Sequence, residues 1–413
     1  MIEFSEQQQA AMATVADFIH FSDEKICQVD GFAGTGKTTL AKHLAEGVRG
    51  YVPFVAFTGK AASVLASKGC HPASTFHSQV YQPKSKCEAR LEALQLEFKD
   101  WQMSHPKDDR TEADEDKAGW YRDEIRKEAD NVNRPSFAIN YDSGIRDAAV
   151  VFLDEHYMAD RQMGEDLAGF GVKVVALGDP AQLPPVAGRS WLAGRRAEVM
   201  LTDVHRQAEG NPVLWAATRL RNHEGMPPPG EYGDRDELVI KNYATDDDLT
   251  AADILLCGRN KTRAKLNARK RELLGFSGTL PKPGERLVCL RNNNDLGLMN
   301  GTIWELLEIE PVGGPAGKYA AIEVQDDAGN VVRTRLIRSR FEEDQPVITP
   351  QDRRMADDFD FGYCLTVHKS QGSEWRHVLL VDEHRAFNED GDGWRWLYTG
   401  VTRASEVLKV VRA

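Results

Sequence analysis

The hydrophobic and polar positions of the chain form a repeating pattern that predicts a fold of the α/β class. Apolar runs of five or six residues, too short for helices and rich in valine and leucine, are typical of buried strands. These runs lie at 25–29, 52–57, 149–153, 172–177, 253–257, 377–381 and 407–411. A second α/β unit is predicted to begin near residue 201, and it contains the last three of these strands.

Two stretches interrupt this pattern. In the first, 84–147, apolar side chains at helical spacing predict a short amphipathic helix around 91–101. The charged run that follows, 107–117, is typical of a solvated face or a flexible loop. In the second, 278–345, β-rich segments separated by Gly- and Asn-rich turns predict a small barrel. Both stretches are interpreted as insertions, one in each α/β unit.

Composition limits the class of protein. The 413 residues leave room for two to four domains, and 41% hydrophobic with 28% charged residues is typical of soluble globular proteins. No apolar run reaches membrane-spanning length, and the first residues lack a secretory signal. The six cysteines are scattered without a CxxC pair, which argues against a zinc site or a disulfide framework. We therefore expect a reducing, cytoplasmic environment and no membrane partner.

The net charge of −12 does not favour nucleic-acid binding at first sight. The placement of charge matters more than its total, because a binding groove needs only a local positive potential. One basic stretch without any acid lies at 259–271. It is a candidate for such a local potential.

The segment 31–38, GFAGTGKT, matches the phosphate-binding pattern of Gly, four residues, Gly-Lys-Thr. It follows a predicted strand and precedes a predicted helix, which is the context that this loop requires. Glycines allow the backbone to approach a polyphosphate, so that amide N–H groups and the helix N-terminus point at its oxygens. Lys37 is then expected to reach the β- and γ-phosphates, and the Thr38 hydroxyl to hold Mg²⁺. The sequence predicts a nucleoside triphosphate site.

Polar residues follow other predicted strands at the position where open α/β sheets bind ligands. The strand 149–153 ends in Asp154, which would hold Mg²⁺, and Glu155, which would orient and deprotonate water. Gln182 follows the strand 172–177, and its amide could sense a γ-phosphate without adding charge. Upstream, Ser5 is a plausible helix N-cap, and Gln8 could contact an adenine edge.

The ordered motifs resemble superfamily 1 DNA helicases of the RecD/Dda-like branch. The motifs that carry the resemblance are GFAGTGKT, FTGKAA, STFH, DEHYM, GDPAQLPPV, VHRQ, LTVHKSQGSEW and YTGVTRA. The match covers nearly the whole chain apart from 84–147, and GDPAQLPPV with LTVHKSQG is a specific combination. The Asn-rich segment 290–301 is similar to that branch's small barrel.

The resemblance implies two RecA-like parallel-sheet P-loop NTPase domains with ATP in the cleft between them. The first motor domain would comprise 1–83 and 148–200, with 84–147 as an inserted accessory or pin domain. The second motor domain would comprise 201–277 and 346–413. An SH3-like β-barrel at 278–345 would be inserted into it.

The resemblance also implies roles for individual residues. Catalysis is assigned to Lys37, Glu155, Gln182, Arg206 and Arg403, the last two as arginine fingers that neutralise transition-state charge. Nucleotide binding is assigned to Gln8, Gly34, Thr35, Gly36, Lys37, Thr38, Thr39, His205, Gly372 and Glu374. Thr38 and Asp154 would hold Mg²⁺. Single-stranded DNA would contact Thr58, Lys60, Thr75, His77, Thr366 and His368.

The sequence departs from the family pattern at two places. His156 and Tyr157 follow the Asp-Glu pair where the family usually has small residues. This departure predicts a different coupling between that motif and DNA. His205 replaces the usual aromatic residue that stacks on adenine, which predicts looser base selectivity.

The function that the resemblance implies is a monomeric, Mg²⁺- and ATP-dependent DNA helicase. It would move 5′→3′ on single-stranded DNA and unwind tailed duplex DNA. Replication or recombination proteins are further candidate partners. Two alternatives stay open at this point: a translocase that acts on RNA, and an ATP-switched nucleic-acid clamp that unwinds nothing.

Overall fold

The computed structural model describes all residues except 1–3, 83, 107–110, 134–137, 186–188, 204–209, 236, 294, 313–316, 344–345, 350, 388–390 and 413. For 84–86 and 130–133 it describes the backbone alone. The α-helices of the described residues, α1 to α13, are Glu6–Phe21, Lys37–Glu46, Gly59–Ser67, Phe76–Val80, Lys84–Ser104, Glu112–Asn133, Arg161–Ala168, Pro212–Arg221, Asp246–Ala251, Asn260–Leu273, Ser339–Glu342, Asp352–Met355 and Gly393–Val401.

The β-strands of the same residues, β1 to β19, are Ile26–Gly31, Phe54–Ala56, Ala73–Thr75, Tyr81–Gln82, Ala138–Ile139, Val151–Leu153, Val174–Gly178, Val199–Leu201, Gly230–Tyr232, Leu238–Lys241, Ile254–Cys257, Arg286–Cys289, Ile303–Val312, Tyr319–Gln325, Val331–Ile337, Phe359–Phe361, Cys364–Thr366, Trp375–Asp382 and Ala404–Arg412. Among the described residues, no helix has the length and apolar character needed to cross a lipid bilayer.

The first sheet has six parallel strands in the order β3-β2-β6-β7-β1-β8. Its central strands are buried on both faces, which explains why they read as unbroken apolar runs. Helices α1, α2 and α3 pack against one face, where their buried residues join the core cluster of the strands. Since the strands are parallel, all their carboxyl ends lie at one edge. That edge carries the phosphate loop after β1 and the Asp-Glu pair after β6.

The second sheet has six strands in the order β17-β11-β18-β19-β10-β9. All neighbours are parallel except the edge pair β9 and β10. Helices α8 and α13 contribute buried side chains to its core. A second mostly parallel sheet therefore follows the first, as expected for a two-unit α/β protein.

The interruption at 84–147 is a helical hairpin. The predicted amphipathic helix exists but is longer, since α5 runs from Lys84 to Ser104 and packs against α6. The described part of the charged run is a solvated helical face rather than a loop, because 112–117 open α6 with mostly exposed side chains. The two-stranded pair β4 and β5 joins the ends of the hairpin where it leaves the first unit.

The second interruption forms an antiparallel sheet of five strands in the order β15-β14-β13-β12-β16. Its last strand, Phe359–Phe361, lies outside the predicted range of 278–345. This strand carries Phe359, which is fully buried in the same core as Leu287 and Trp304. Burial of that ring explains why the sheet recruits a strand from the segment that leads back to the second unit.

The basic stretch at 259–271 differs from its expected role. It forms helix α10, and two of its cations are buried inside the second unit. Lys270 donates to the Ala252 carbonyl, and burial lowers the pKa of its ammonium to about 8. The Arg271 guanidinium donates to the buried Glu285 carboxylate at 2.6 and 3.0 Å. These two cations therefore stabilise the fold instead of offering positive charge to a nucleic acid, whereas Arg259, Lys261 and Lys265 of the same stretch are exposed.

Candidate functional site

The phosphate loop has the backbone geometry that its glycines predict. Gly34 and Gly36 adopt φ angles of 80° and 81°, which side-chain-bearing L-residues rarely adopt. Gly36 is the N-cap of α2, so the first helical residue is Lys37. The Lys37 ammonium donates to the carbonyls of Gly31 at 2.6 Å and Phe32 at 3.2 Å. The lysine is therefore held at the centre of its own loop.

A cleft with a volume of about 390 Å³ lies beside this loop, between the first and second units. Its lining includes residues that the sequence predicted from five separate motifs. The predicted residues in the lining are Gly34, Gly36, Lys37, Thr38, Thr39, Asp154, Glu155, Gln182, Gly372, Glu374 and Arg403. Two further predicted residues, His205 and Arg206, lie outside the described residues.

Gln8 lies behind the loop, and its side chain is 4% exposed. Its amide oxygen accepts from the Ser5 N–H at 3.0 Å, which completes a capping box at the start of α1. Its amide nitrogen donates to the Thr35 carbonyl at 3.0 Å. Thr35 is also buried, and its hydroxyl donates to the Phe32 carbonyl. The two residues brace the loop from behind, and their predicted contacts with a nucleotide stay predictions.

The acid pair at the end of β6 is electrostatically strained. Burial, with the neighbouring Glu155 carboxylate, raises the pKa of Asp154 to about 6, although Lys37 opposes the shift. The Asp154 carboxylate accepts one backbone bond, from the Glu155 N–H at 3.0 Å. Glu155 itself has a φ angle of 55°, an unfavourable left-handed conformation for a glutamate. Two adjacent, poorly solvated carboxylates make a site that a divalent cation would stabilise.

Gln182 reaches the Glu155 carboxylate from the loop that follows β7. Its side chain is buried, and its amide nitrogen donates to Glu155 Oε1 at 3.4 Å. The amide predicted to sense a γ-phosphate thus lies beside the carboxylate predicted to activate water. The two side chains can respond to the same phosphate group.

A polar seam joins the two units directly beside the cleft. The Tyr398 hydroxyl accepts from the Ala33 N–H of the phosphate loop at 3.0 Å and donates to Asp179 at 2.7 Å. One residue further along α13, the Thr399 hydroxyl accepts from the Leu183 N–H at 2.9 Å. Burial raises the pKa of Asp179, and burial with Asp179 nearby raises that of Tyr398, so the Tyr398 hydroxyl keeps the proton that it donates to Asp179.

Arg403 reaches the cleft from the second unit. Its guanidinium is buried and donates to the carbonyls of Thr399 and Ser373, each at 3.0 Å. Gly372 lies nearby with a φ angle of 70°, and a Cβ there would lie 3.0 Å from the Ala61 Cβ of the first unit. The glycine therefore allows the two units to approach closely at the mouth of the cleft.

Two of the threonines predicted to contact DNA are helix N-caps of the first unit. The Thr58 hydroxyl accepts from the Ala61 N–H at 3.1 Å and begins α3. The Thr75 hydroxyl accepts from the Ser78 N–H at 3.3 Å, begins α4 and is almost fully buried. Both residues fix the position of helix N-termini, where backbone N–H groups can meet an anion.

The predicted histidines are weak bases in this fold. Burial lowers the pKa of both His77 and His368 from its usual range, which favours the neutral imidazole over the imidazolium. Thr366 is also buried and begins the short 3₁₀ turn that contains His368. These residues can donate or accept hydrogen bonds but add no positive charge.

The five-stranded sheet reaches the start of α3. Lys60 forms an ion pair with Asp327, in the turn between β14 and β15, at an N–O distance of 3.6 Å. Beside it, a Cβ at Gly59 would overlap the Met299 side chain at 1.9 Å. A predicted DNA-contacting segment of the first unit therefore meets the inserted sheet of the second.

Comparison with known proteins gives matches to both units. A family model described as an AAA domain matches residues 3–239, more than half of the chain, and one described as a UvrD-like helicase C-terminal domain matches 361–411. The RecD2 DNA helicase of Deinococcus radiodurans is 28% identical over 263 residues, 57% of this chain and 32% of its own length. A conjugal transfer protein TraA of Rhizobium radiobacter is 26% identical over 320 residues, 65% of this chain and 26% of its own length.

Solved structures of Pif1 helicases have the same fold. One in a study of forked duplex DNA has a TM-score of 0.56 at 18% identity and covers 99% of this chain and 92% of its own. A Bacteroides Pif1 with ADP-AlF3 and single-stranded DNA has a TM-score of 0.56 at 17% identity, with coverage of 100% and 92%. The chain belongs to the superfamily 1 helicases of the RecD/Pif1 branch. The predicted family is thereby confirmed, while the chain spans about a third or less of the RecD2 and TraA relatives.

Several residues of this helicase cleft were not predicted as site residues. Tyr398 and Asp179 stand inside two of the motifs, so their motif membership was a usable signal. Lys68 and Asn211 line the cleft without belonging to any motif. The Arg221 guanidinium lies 3.8 Å from the ring centre of Phe32 in the phosphate loop and forms a further link between the units. Only the tertiary structure brings these last residues to the site.

Proposed function

We propose that this chain hydrolyses ATP to move along single-stranded DNA and unwinds duplex DNA in the 5′→3′ direction. The observation that carries the proposal is the cleft itself. It combines a phosphate loop, an acid pair and Gln182 of one unit with Arg403 of another. A nucleotide bound there would contact both units, so its hydrolysis can change their relative position.

In the proposed reaction, Lys37 exchanges its loop carbonyls for the β- and γ-phosphates of ATP. Glu155 accepts the proton of the attacking water, and the Gln182 amide contacts the γ-phosphate that this water attacks. Arg403 and Arg206 act as arginine fingers, of which Arg403 lines the cleft. Gln8, His205 and Glu374 would position the base and ribose.

The cleft also fits Mg²⁺. Asp154 has a raised pKa because it is partly buried and lies beside a second carboxylate, and a cation would relieve that repulsion. Thr38 and Asp154, together with phosphate oxygens and water, would hold the ion. Bound there, Mg²⁺ would neutralise phosphate charge.

The seam around Tyr398 offers a route from nucleotide to movement. Its hydroxyl contacts the loop through Ala33 and the end of β7 through Asp179. A change of the loop upon hydrolysis would therefore be transmitted to α13 of the second unit. This transmission requires no contact beyond those described.

The proposed DNA path crosses both units. Thr58, Lys60, Thr75 and His77 would contact the strand from the first, and Thr366 and His368 from the second. DNA is favoured as the partner because one related structure is a complex with single-stranded DNA, another concerns DNA unwinding at forked duplexes, and RecD2 is named a DNA helicase. The 5′→3′ direction follows from the resemblance to the RecD/Dda-like branch.

The domain division belongs to the same proposal. We assign the first sheet and the second sheet to the two motor domains, and the helical hairpin to the accessory domain. The five-stranded sheet would close as an SH3-like barrel. A parallel bridge between Leu336 and Asp357 supports closure, because it connects β15 to the segment that enters β16. The Thr334 hydroxyl also donates to the Asp357 carboxylate, and the Asp357 N–H donates to the Arg335 carbonyl.

Two rivals predict other behaviour. An ATP-switched clamp would turn over slowly with no stimulation by DNA, and an RNA translocase would be stimulated by single-stranded RNA in preference to DNA. Retention of Glu155, Gln182 and Arg403 around one cleft favours hydrolysis over a pure switch.

A pair of partial duplexes tests the proposal. Both carry the same duplex, with the overhang on the 5′ side in one and on the 3′ side in the other. We expect ATP-dependent unwinding of the 5′-tailed duplex alone. Unwinding of the 3′-tailed duplex alone would overturn the direction, and unwinding of neither would overturn the helicase assignment.

A further inference from the structure

The two residues that depart from the family pattern, His156 and Tyr157, contact the acid that immediately precedes the phosphate loop. Tyr157 donates its hydroxyl proton to Asp30 Oδ2 at 2.8 Å, and the ring of His156 bonds Asp30 Oδ1 through Nε2 at 3.0 Å. Asp30 immediately precedes the first glycine of the loop. Gln28 donates to the same carboxylate at 3.0 Å. His156 and Tyr157 therefore both bond Asp30, which lies 126 residues before His156 in the sequence.

The contact spans two strands that are not neighbours. In the first sheet β7 lies between β6, which carries the acid pair, and β1, which carries the loop. The rings of His156 and Tyr157 cross the end of β7 at Gly178. A Cβ at that glycine would lie 2.5 Å from the histidine ring and 2.7 Å from the tyrosine ring. The sheet has a glycine where the crossing requires space.

The crossing determines the position of Glu155. The residues 156–158 form a 3₁₀ turn whose N-cap is Glu155, in its left-handed conformation. The turn is anchored by His156, which is fully buried, and by Tyr157, whose pKa is raised by burial and by Asp30. A strained backbone persists only where its surroundings hold it, and these two side chains supply that hold.

We propose that Asp30, His156 and Tyr157 are positioning residues that fix the Glu155 carboxylate relative to the phosphate loop. None of the three needs to touch ATP. They act by joining the end of β6, where Glu155 would activate water, to the end of β1, where the phosphate loop begins. This inference rests on the proposed ATP hydrolysis and adds the residues that align it.

The experiment compares Tyr157→Phe, Asp30→Asn and the double variant with wild type in DNA-stimulated ATPase assays. Tyr319→Phe is the matched control, because it also removes a tyrosine–aspartate bond, of 2.9 Å to Asp352, in the five-stranded sheet. We expect Tyr157→Phe to lower kcat about 10-fold, because a less well aligned Glu155 would stabilise the transition state less, with KM for ATP changed less than about two-fold. The control should keep the wild-type kcat.

The double variant separates positioning from general stability. If the bond acts as one unit, Asp30→Asn with Tyr157→Phe should lose no more kcat than the worse single variant. Affinity for a fluorescent ADP with aluminium fluoride should fall with kcat, while affinity for the same ADP alone stays unchanged. Wild-type kcat in Tyr157→Phe, or losses that multiply in the double variant, would overturn the inference. A wild-type chain without ATPase activity would instead overturn the proposed function, and with it this role.

Discussion

Asp154→Asn should stabilise the protein while abolishing its activity. Burial and Glu155 raise the pKa of Asp154 from 3.8 to about 6, so the folded protein holds this proton more tightly than the unfolded chain. The folded state therefore binds more protons between about pH 4 and pH 6, and its stability falls as pH rises through that window. Above it, the ionised carboxylate destabilises the fold.

The size of the Asp154 pKa shift determines the expected change in the free energy of unfolding. At 1.36 kcal/mol per pKa unit, a rise to about 6 corresponds to about 3 kcal/mol. Asp154 is partly exposed to the cleft, so water screens some of this cost, and we expect about 2 kcal/mol. Asparagine has no charge, and its side-chain oxygen can still accept from the Glu155 N–H.

The assay is urea unfolding of both proteins from pH 4 to pH 8, without nucleotide or divalent cation. Hydrogen exchange of peptides that contain β6 reports the same difference locally. The variant should match wild type near pH 4 and exceed it at pH 8 by about 2 kcal/mol. Its Mg²⁺-dependent ATPase should fall to background.

Asp352→Asn is a control of opposite sign. Hydrogen bonds from Thr349 and Tyr319 lower the pKa of Asp352 to about 2, so its carboxylate contributes stability above the unfolded pKa that is lost as pH falls towards 2. Its removal should lower stability at pH 8. If Asp154→Asn also lowered stability at pH 8, or followed the wild-type pH profile, the electrostatic reasoning would be refuted.

Other variants test the seam, the finger and the DNA path. Tyr398→Phe removes the donor to the buried Asp179 and should lower DNA-stimulated kcat about 10-fold, measured by steady-state ATPase; an unchanged rate would exclude the seam as the route of coupling. Arg403→Ala should lower kcat by about 10³ with a smaller change in KM, and a pure KM defect would argue against the finger. Thr366→Ala should weaken DNA stimulation and spare the basal rate, and intact stimulation would remove it from the path.

The parts of this protein that sequence predicts are those that local chemistry determines. The loop geometry at Gly34 and Gly36 and the cap at Ser5 depend on neighbours within a few residues. The buried parallel strands are also recognisable, because burial on both faces requires an unbroken apolar run. Their carboxyl ends then share one edge, which is enough to predict that Lys37 and Asp154 line one site.

The rest depends on partners distant in sequence. From the sequence, Arg271 is a candidate nucleic-acid contact, whereas in the structure it pairs with Glu285. From the sequence, His156 is a departure from a motif, whereas in the structure it bonds Asp30. Helix α6 is rich in charged residues, with Ala118 and Tyr121 among its few buried apolar residues, so the charged run at its start concealed the helix in the sequence.

The most direct test of the account is ATP hydrolysis by wild type and by Lys37→Ala, each with and without single-stranded DNA. Lys37 is partly exposed and donates to carbonyls of its own loop, not to the cores of the two units. Its removal should therefore leave the fold intact, as circular dichroism would verify. We predict that wild type hydrolyses ATP and that DNA accelerates this hydrolysis, whereas Lys37→Ala hydrolyses none under either condition. Equal hydrolysis by both proteins, or wild-type hydrolysis that DNA leaves unchanged, would contradict this prediction.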